Sequence, residues 1–169
     1  KDGTALSGFV STALLTGLSG TASETVFQDV MVMSDDGKDL DDELAKVLMK
    51  TLQQRDLTKC HGYIANLAPA DMRARLAKGT LNQLGMIAGV GVGSAMSDKV
   101  KVSEYEFEVP YLAPSSDHPD GIEFFAETLQ GLDDGAVSLV LLSGLTDAWK
   151  LLDKHRELFK QKIGRVVIM

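Results

Sequence analysis

The sequence predicts an α/β fold: an open, mostly parallel sheet with helices on both faces. Three observations carry this. Short runs rich in Val, Ile and Leu recur along the chain: "VFQDVMVM", "KCHGYIAN", "MIAGVGVG", "AVSLVLLS" and "GRVVIM". Stretches with helical periodicity alternate with them, the signature of βαβ units. Polar and small residues collect where the strands would end, at Ser34-Asp35, Asn66, Gly91 and Gly93, and Ser143-Gly144. In such sheets ligands bind outside the carboxyl ends of the strands.

Each element has its own warrant. Residues 1–25 form a separate segment, uncharged from Gly3 to Ser23. Leu6, Phe9, Val10, Ala13, Leu14 and Leu18 fall on one helical face there, so an amphipathic arm or the remnant of a targeting peptide is expected. Four glycines and many hydroxyls make it weakly apolar, and membrane contact through residues 4–20 is the most that its hydropathy supports. The α/β domain is expected over residues 26–169. After the first strand, "DDELAKVLMKTLQ" places Leu44, Val47, Leu48 and Leu52 on one face, and its acidic start suits the positive end of a helix. "PADMRARLAKGTLNQLG" reads as a helix with Pro69 at its start and Gly85 as its stop. "KVSEYEFEV" alternates strictly, which predicts an edge strand with Glu104, Glu106 and Glu108 outward. "GIEFFAETLQGL" is helical, and "LTDAWKLLDKHRELFKQKI" is one or two helices with Trp149 in the core.

The 169 residues suffice for one domain with a real core. Seventeen basic against 24 acidic residues give a net charge of −7, which argues against a nucleic-acid partner, since phosphate binding needs clustered Lys and Arg. The single cysteine, Cys60, excludes an intrachain disulfide and leaves the compartment open between cytoplasm and organelle. His61 beside it is poorly placed to activate it, because neighbours in a strand face opposite ways. The chain opens on Lys1 and closes inside a strand-like run, so it is expected to be a processed or partial piece.

The densest chemistry lies in "VMVMSDDGKDLDDELAKVLM", with five aspartates between Asp35 and Asp42. Carboxylates at a strand end before a helix suit a hard divalent cation held by oxygens. An EF-hand register would use Gly37 and Glu43 but puts Val32 at the first ligand position. An Asp-x-Asp-Gly-Thr phosphotransfer motif would need Asp where Ser34 stands, and a receiver domain would need Asp at the end of the third strand. Gly89, Gly91 and Gly93 give only a weak nucleotide fingerprint. The remaining alternative is a solvated acidic helix start.

The acidic stretch resembles the Asp-rich motif of the inosine-uridine-preferring nucleoside hydrolase family: strand, Asp-Pro-Gly, one residue, Asp-Asp, helix. "GYIAN" resembles the family's second strand, "LAKGTLNQLGMIAGVGVGSA" its next helix and strand, and "VSLVLLSGLTDAWKLLDKHRELFKQKIGRVVIM" its Gly-Pro-Leu-Thr-Asn region. The resemblance covers about Phe27 to Met169. It implies a calcium-dependent hydrolase of the N-glycosidic bond of ribonucleosides. Asp35 would be general base and calcium ligand, Asp42 the bidentate ligand, and Thr146 a ligand through its carbonyl. Asp41 and Asn66 would contact the sugar. Asp36 stands at the family's proline, and two extra residues precede Asp41-Asp42, which leaves Asp39 as an alternative ligand. The family's later site elements would lie beyond Met169. The expected partners are a ribonucleoside and either a homo-oligomer or a larger assembly; in the latter the chain would serve as a non-catalytic, hydrolase-like subunit.

Overall fold

The computed structural model describes residues 28–97, 101–114 and 118–169. The amphipathic segment expected over residues 1–25 lies outside them. Five strands form one wholly parallel sheet: β1 (Gln28–Ser34), β2 (Thr58–Ala65), β3 (Gly89–Val92), β4 (Val137–Leu141) and β5 (Ile163–Ile168), in the spatial order β3-β2-β1-β4-β5. The helices are α1 (Asp41–Gln54), α2 (Ala70–Gln83), α3 (Gly121–Gln130), α4 (Thr146–Lys154) and α5 (Arg156–Lys162). No described helix is long and apolar enough to cross a membrane. The order reverses between β1 and β4, and that reversal opens a crevice at the carboxyl ends of those two strands.

Strand alternation divides the core in two. Val30 and Val32 of β1 face Ala74, Ala77 and Leu81 of α2, with Met49 of α1 alongside. Met31 and Met33 face Ile122, Phe125 and Leu129 of α3 and Leu151 of α4. A register shift against β2 between Val30 and Met31 breaks the period of two, so Cys60 and Tyr63 share the first cluster. The glycines of β3 are packing devices. A Cβ on Gly89 would lie 2.4 Å from the Phe124 ring, and one on Gly91 would lie 2.6 Å from the Gly121 backbone. They let α3 settle directly on the sheet, which accounts for the "GVGVG" run without a nucleotide.

Two local expectations are overturned, and α1 packs by a face its apolar pattern does not mark. The apolar stripe of α1 faces out, with Leu44 64% and Leu48 59% exposed. The helix instead buries Asp42 and Lys46 and half-buries Met49. The buried charge of Asp36 needs a cation, and Lys46 reaches it only from that face. The segment "KVSEYEFEV" is not a strand but contains a 3-10 turn, Glu104–Phe107, capped reciprocally by Ser103 and Glu106. Glu106 points inward to pair with Arg73, so the expected outward row of glutamates is broken. Trp149 is 59% exposed and is not core.

Candidate functional site

The site grows from the end of β1. Ser34 closes the strand, and Asp35-Asp36-Gly37 turn the chain toward α1. Gly37 has a φ of 97°, and a Cβ there would lie 2.9 Å from Leu76 and 3.0 Å from the Glu106 carbonyl. Glycine is therefore required twice over. Arg73 clamps the bend from α2: its Nη1 donates to the carbonyls of Asp35 (3.1 Å) and Asp36 (2.5 Å), and its Nη2 to Glu106 Oε2 (2.9 Å) and to the Ala68 carbonyl (3.3 Å). Bend, β2 loop and 3-10 turn thus hang on one buried guanidinium.

Asp36 is fully buried. Its carboxylate accepts from Ser34 Oγ at 2.7 Å and is ion-paired to the buried Lys46 ammonium. The second strand is tied in by the Asn66 backbone N–H, which donates to the Ser34 carbonyl at 2.9 Å.

Unpartnered polar atoms gather along this edge. Asp42 Oδ1, Glu43 Oε2, both side-chain ends of Asn66 and Ser143 Oγ are buried with no hydrogen-bond partner among the described residues. Buried polar groups are normally satisfied, so each of these is a place where a ligand, ion or water belongs. They come from three strand ends: Asp42 and Glu43 after β1, Asn66 after β2, Ser143 after β4.

The electrostatics agree. Burial, then repulsion from Asp36, pushes the Asp42 carboxyl up to about 8, and the Asp35 charge adds to it. Burial also raises Asp35 and Glu43 above the usual carboxylate range. Lys46 opposes the rise at Asp42 without cancelling it.

Of the residues singled out from sequence, Asp35, Asp42 and Asn66 come to this edge. Asp39 and Asp41 are exposed on the loop and the first turn of α1. Thr146 is exposed at the start of α4, and it is its neighbour Asp147 that is buried. Asp147 Oδ1 accepts from the Ser94 amide (3.0 Å) and hydroxyl (2.6 Å), joining the β4 loop to the β3 loop. Between them lies Gly93, where a Cβ would touch Ile64, Asn66 and Asp147 at 2.6–2.9 Å. A cleft of about 320 Å³ opens beside Gly93, walled by Ser94, Asp120, Ile122 and the exposed side of α4. Lys46, Arg73 and Asp147 were not picked out by sequence, and Asp36 and Glu106 were noted there without a role in the site. The one available signal was Lys46, four residues after Asp42 and one helical turn away.

The fold is nucleoside hydrolase-like. The effector protein XOO4466 superposes with a TM-score of 0.71 at 25% identity, over 85% of this chain and 44% of that one. The type III effector XopQ, solved with adenosine diphosphate ribose, gives 0.69 at 24%, over 85% and 44%. A purine-preferring ribonucleoside hydrolase from Gardnerella vaginalis gives 0.62 at 16%, over 83% and 48%. The chain spans less than half the length of each. No protein-family model matches the sequence, and no curated protein does.

The donor set suits a hard cation in part. Asp35 at the bend and Asp42 in the first turn of α1 offer carboxylate oxygens, and Asp42 Oδ1 has no hydrogen-bond partner among the described residues. Among the described residues no group of three or more His, Cys, Asp or Glu stands close enough to hold a metal. Calcium takes six to eight oxygens, so backbone carbonyls, water and ligand hydroxyls would have to complete the sphere.

Proposed function

We propose that this chain is the ribosyl-binding portion of a calcium-dependent nucleoside N-ribohydrolase. The observation that supports it is the unpartnered set of Asp42 Oδ1 and both ends of the Asn66 amide, buried at neighbouring strand ends of a nucleoside hydrolase-like fold. Asp42 and Asp35, with the Thr146 carbonyl, are the proposed calcium ligands, and Asp39 is the alternative. Asn66 can donate and accept, which matches vicinal sugar hydroxyls, and Asp41 at the exposed rim is the second sugar contact. A bound calcium ion would supply a fixed anchor for those hydroxyls and a more acidic water.

Asp35 is the proposed general base. Burial raises its half-buried carboxyl above the ordinary carboxylate value, which makes the ionised form a stronger base toward water. In the reaction a water oxygen bonds to the anomeric carbon and the C–N bond breaks. The water's proton goes to Asp35, and the departing nitrogen takes one from solvent. The test is release of free ribose from inosine or uridine with calcium present. Release lost in both Asp35→Asn and Asp42→Asn supports the reading; release that survives both sinks the assignment.

A second reading has its own observation. Lys46 already supplies a buried cation to Asp36, so a cradle that binds a ribosyl group without cleaving it fits as well. Saturable nucleoside binding with no ribose release distinguishes it.

A further inference from the structure

Helix α1 carries an apolar stripe that stands open among the described residues. Leu40, Leu44, Val47 and Leu48 follow one another at i, i+4, i+7 and i+8, and they are between 49% and 76% exposed. That spacing puts them on one face of the helix, opposite Asp42 and Lys46, which α1 buries. A contiguous aliphatic face left to solvent marks a docking surface. The strand-end site does not account for it, because that site lies on the buried side of α1.

The chain enters the domain beside the end of this helix. The N–H of Gln28, the first residue of β1, donates to the Leu57 carbonyl at 3.4 Å, and Leu57 follows shortly after Gln54, where α1 ends. The segment ahead of Gln28 lies outside the described residues, but its sequence is complementary to the stripe. Leu6, Phe9, Val10, Ala13, Leu14 and Leu18 share one helical face, and no charge occurs from Gly3 to Ser23. Residues 19–27 separate that face from β1. Extended, such a connection reaches about 30 Å, against about 21 Å for the whole of α1. Every part of the stripe is therefore within its reach.

We infer that residues 6–18 dock along the α1 stripe through their own apolar face and cover Leu44 and Leu48. The tether presents the segment at an effective concentration on the order of millimolar. A second copy of the chain must instead offset the full cost of association. Leu40, Leu44, Val47 and Leu48 alone fall well short of the roughly 800 Å² per partner that a standard interface buries. An uncharged segment also suits an aliphatic face that offers it no ion pair.

Thiol labelling of the whole chain tests this. Leu44→Cys places a thiol at the centre of the stripe, and digestion followed by mass measurement reads its alkylation separately from that of Cys60. Adding Leu14→Asp and Leu18→Asp should speed alkylation at position 44 about tenfold, the change for a segment docked roughly nine-tenths of the time. Cys60 is buried, so its unchanged resistance to labelling shows that the domain stays folded. Equal rates at position 44 with and without the two aspartates overturn the inference. Protection that grows with protein concentration also overturns it and assigns the stripe to a second copy. Protection that needs added phospholipid vesicles overturns it in favour of a membrane surface. A second measurement uses no charged substitution: Leu14→Cys with Leu44→Cys should be joined within one chain by a short bifunctional thiol reagent. Failure to form that link overturns the inference as well.

Discussion

The Lys46 ammonium is paired with the Asp36 carboxylate, and both side chains are fully buried. This pair explains the acidic bend of a chain that concentrates like charge at one turn. It also explains why α1 turns its polar side inward. Removing one partner of a buried pair leaves an uncompensated charge, at about 3–5 kcal/mol. Lys46→Met is therefore expected to lower stability by that amount, a large share of the ~5–15 kcal/mol of a typical domain. Asp36→Leu with Lys46→Met should recover most of it. Urea unfolding of the three proteins checks this; an unchanged midpoint for Lys46→Met would show that the pair is not buried.

Asp42 links stability to pH. Its carboxyl rises from 3.8 to about 8 on folding, chiefly by burial. The native state then keeps a proton that the unfolded chain has lost, so stability falls as pH rises between those values and is flat above them. Asp35 and Glu43 act in the same direction. Asp42→Asn should flatten the profile and raise the melting temperature above pH 8, while abolishing calcium binding. Thermal melts across the range, with and without calcium, test both halves of the expectation.

Gly79 carries the loop that follows the 3-10 turn. A Cβ there would sit 2.1 Å from the Tyr111 carbonyl oxygen, which is backbone and cannot step aside alone. Gly79→Ala should cost about 1–3 kcal/mol, the usual range for overpacking. The loss should appear as increased amide exchange at Ala113, whose N–H is bound to the Arg75 carbonyl.

Cys60 is buried in the α2-side core, and burial pushes its thiol up to about 11. The thiolate is the reactive form, so the native thiol should resist alkylation at neutral pH and react only on unfolding. Labelling followed by mass measurement, with and without denaturant, gives the answer.

The alternation of strands and helices was readable because parallel strands buried on both faces are continuous apolar runs. The strand ends carrying Asp35 and Asn66 followed from it. Orientation was harder. Leu44, Val47 and Leu48 form the stronger apolar stripe of α1, yet Asp36 needs Lys46, and an unpaired buried charge outweighs several exposed leucines. The same competition undid "KVSEYEFEV": alternation predicts a strand, but Arg73, buried 33 positions earlier, draws Glu106 inward. Such partners are set by tertiary packing, and no local period encodes them. Trp149 was read as core from its helical spacing, but α4 buries the opposite side through Leu151.

The central claim is that Asp42 and Asn66 hold a ribosyl ligand at the carboxyl edge of the sheet. Calorimetric titration of inosine into the calcium-supplemented chain, repeated on Asp42→Asn and Asn66→Ala, tests it most directly. Saturable heat in the wild type that disappears in both variants is the predicted result. Binding of equal strength in all three proteins would contradict it.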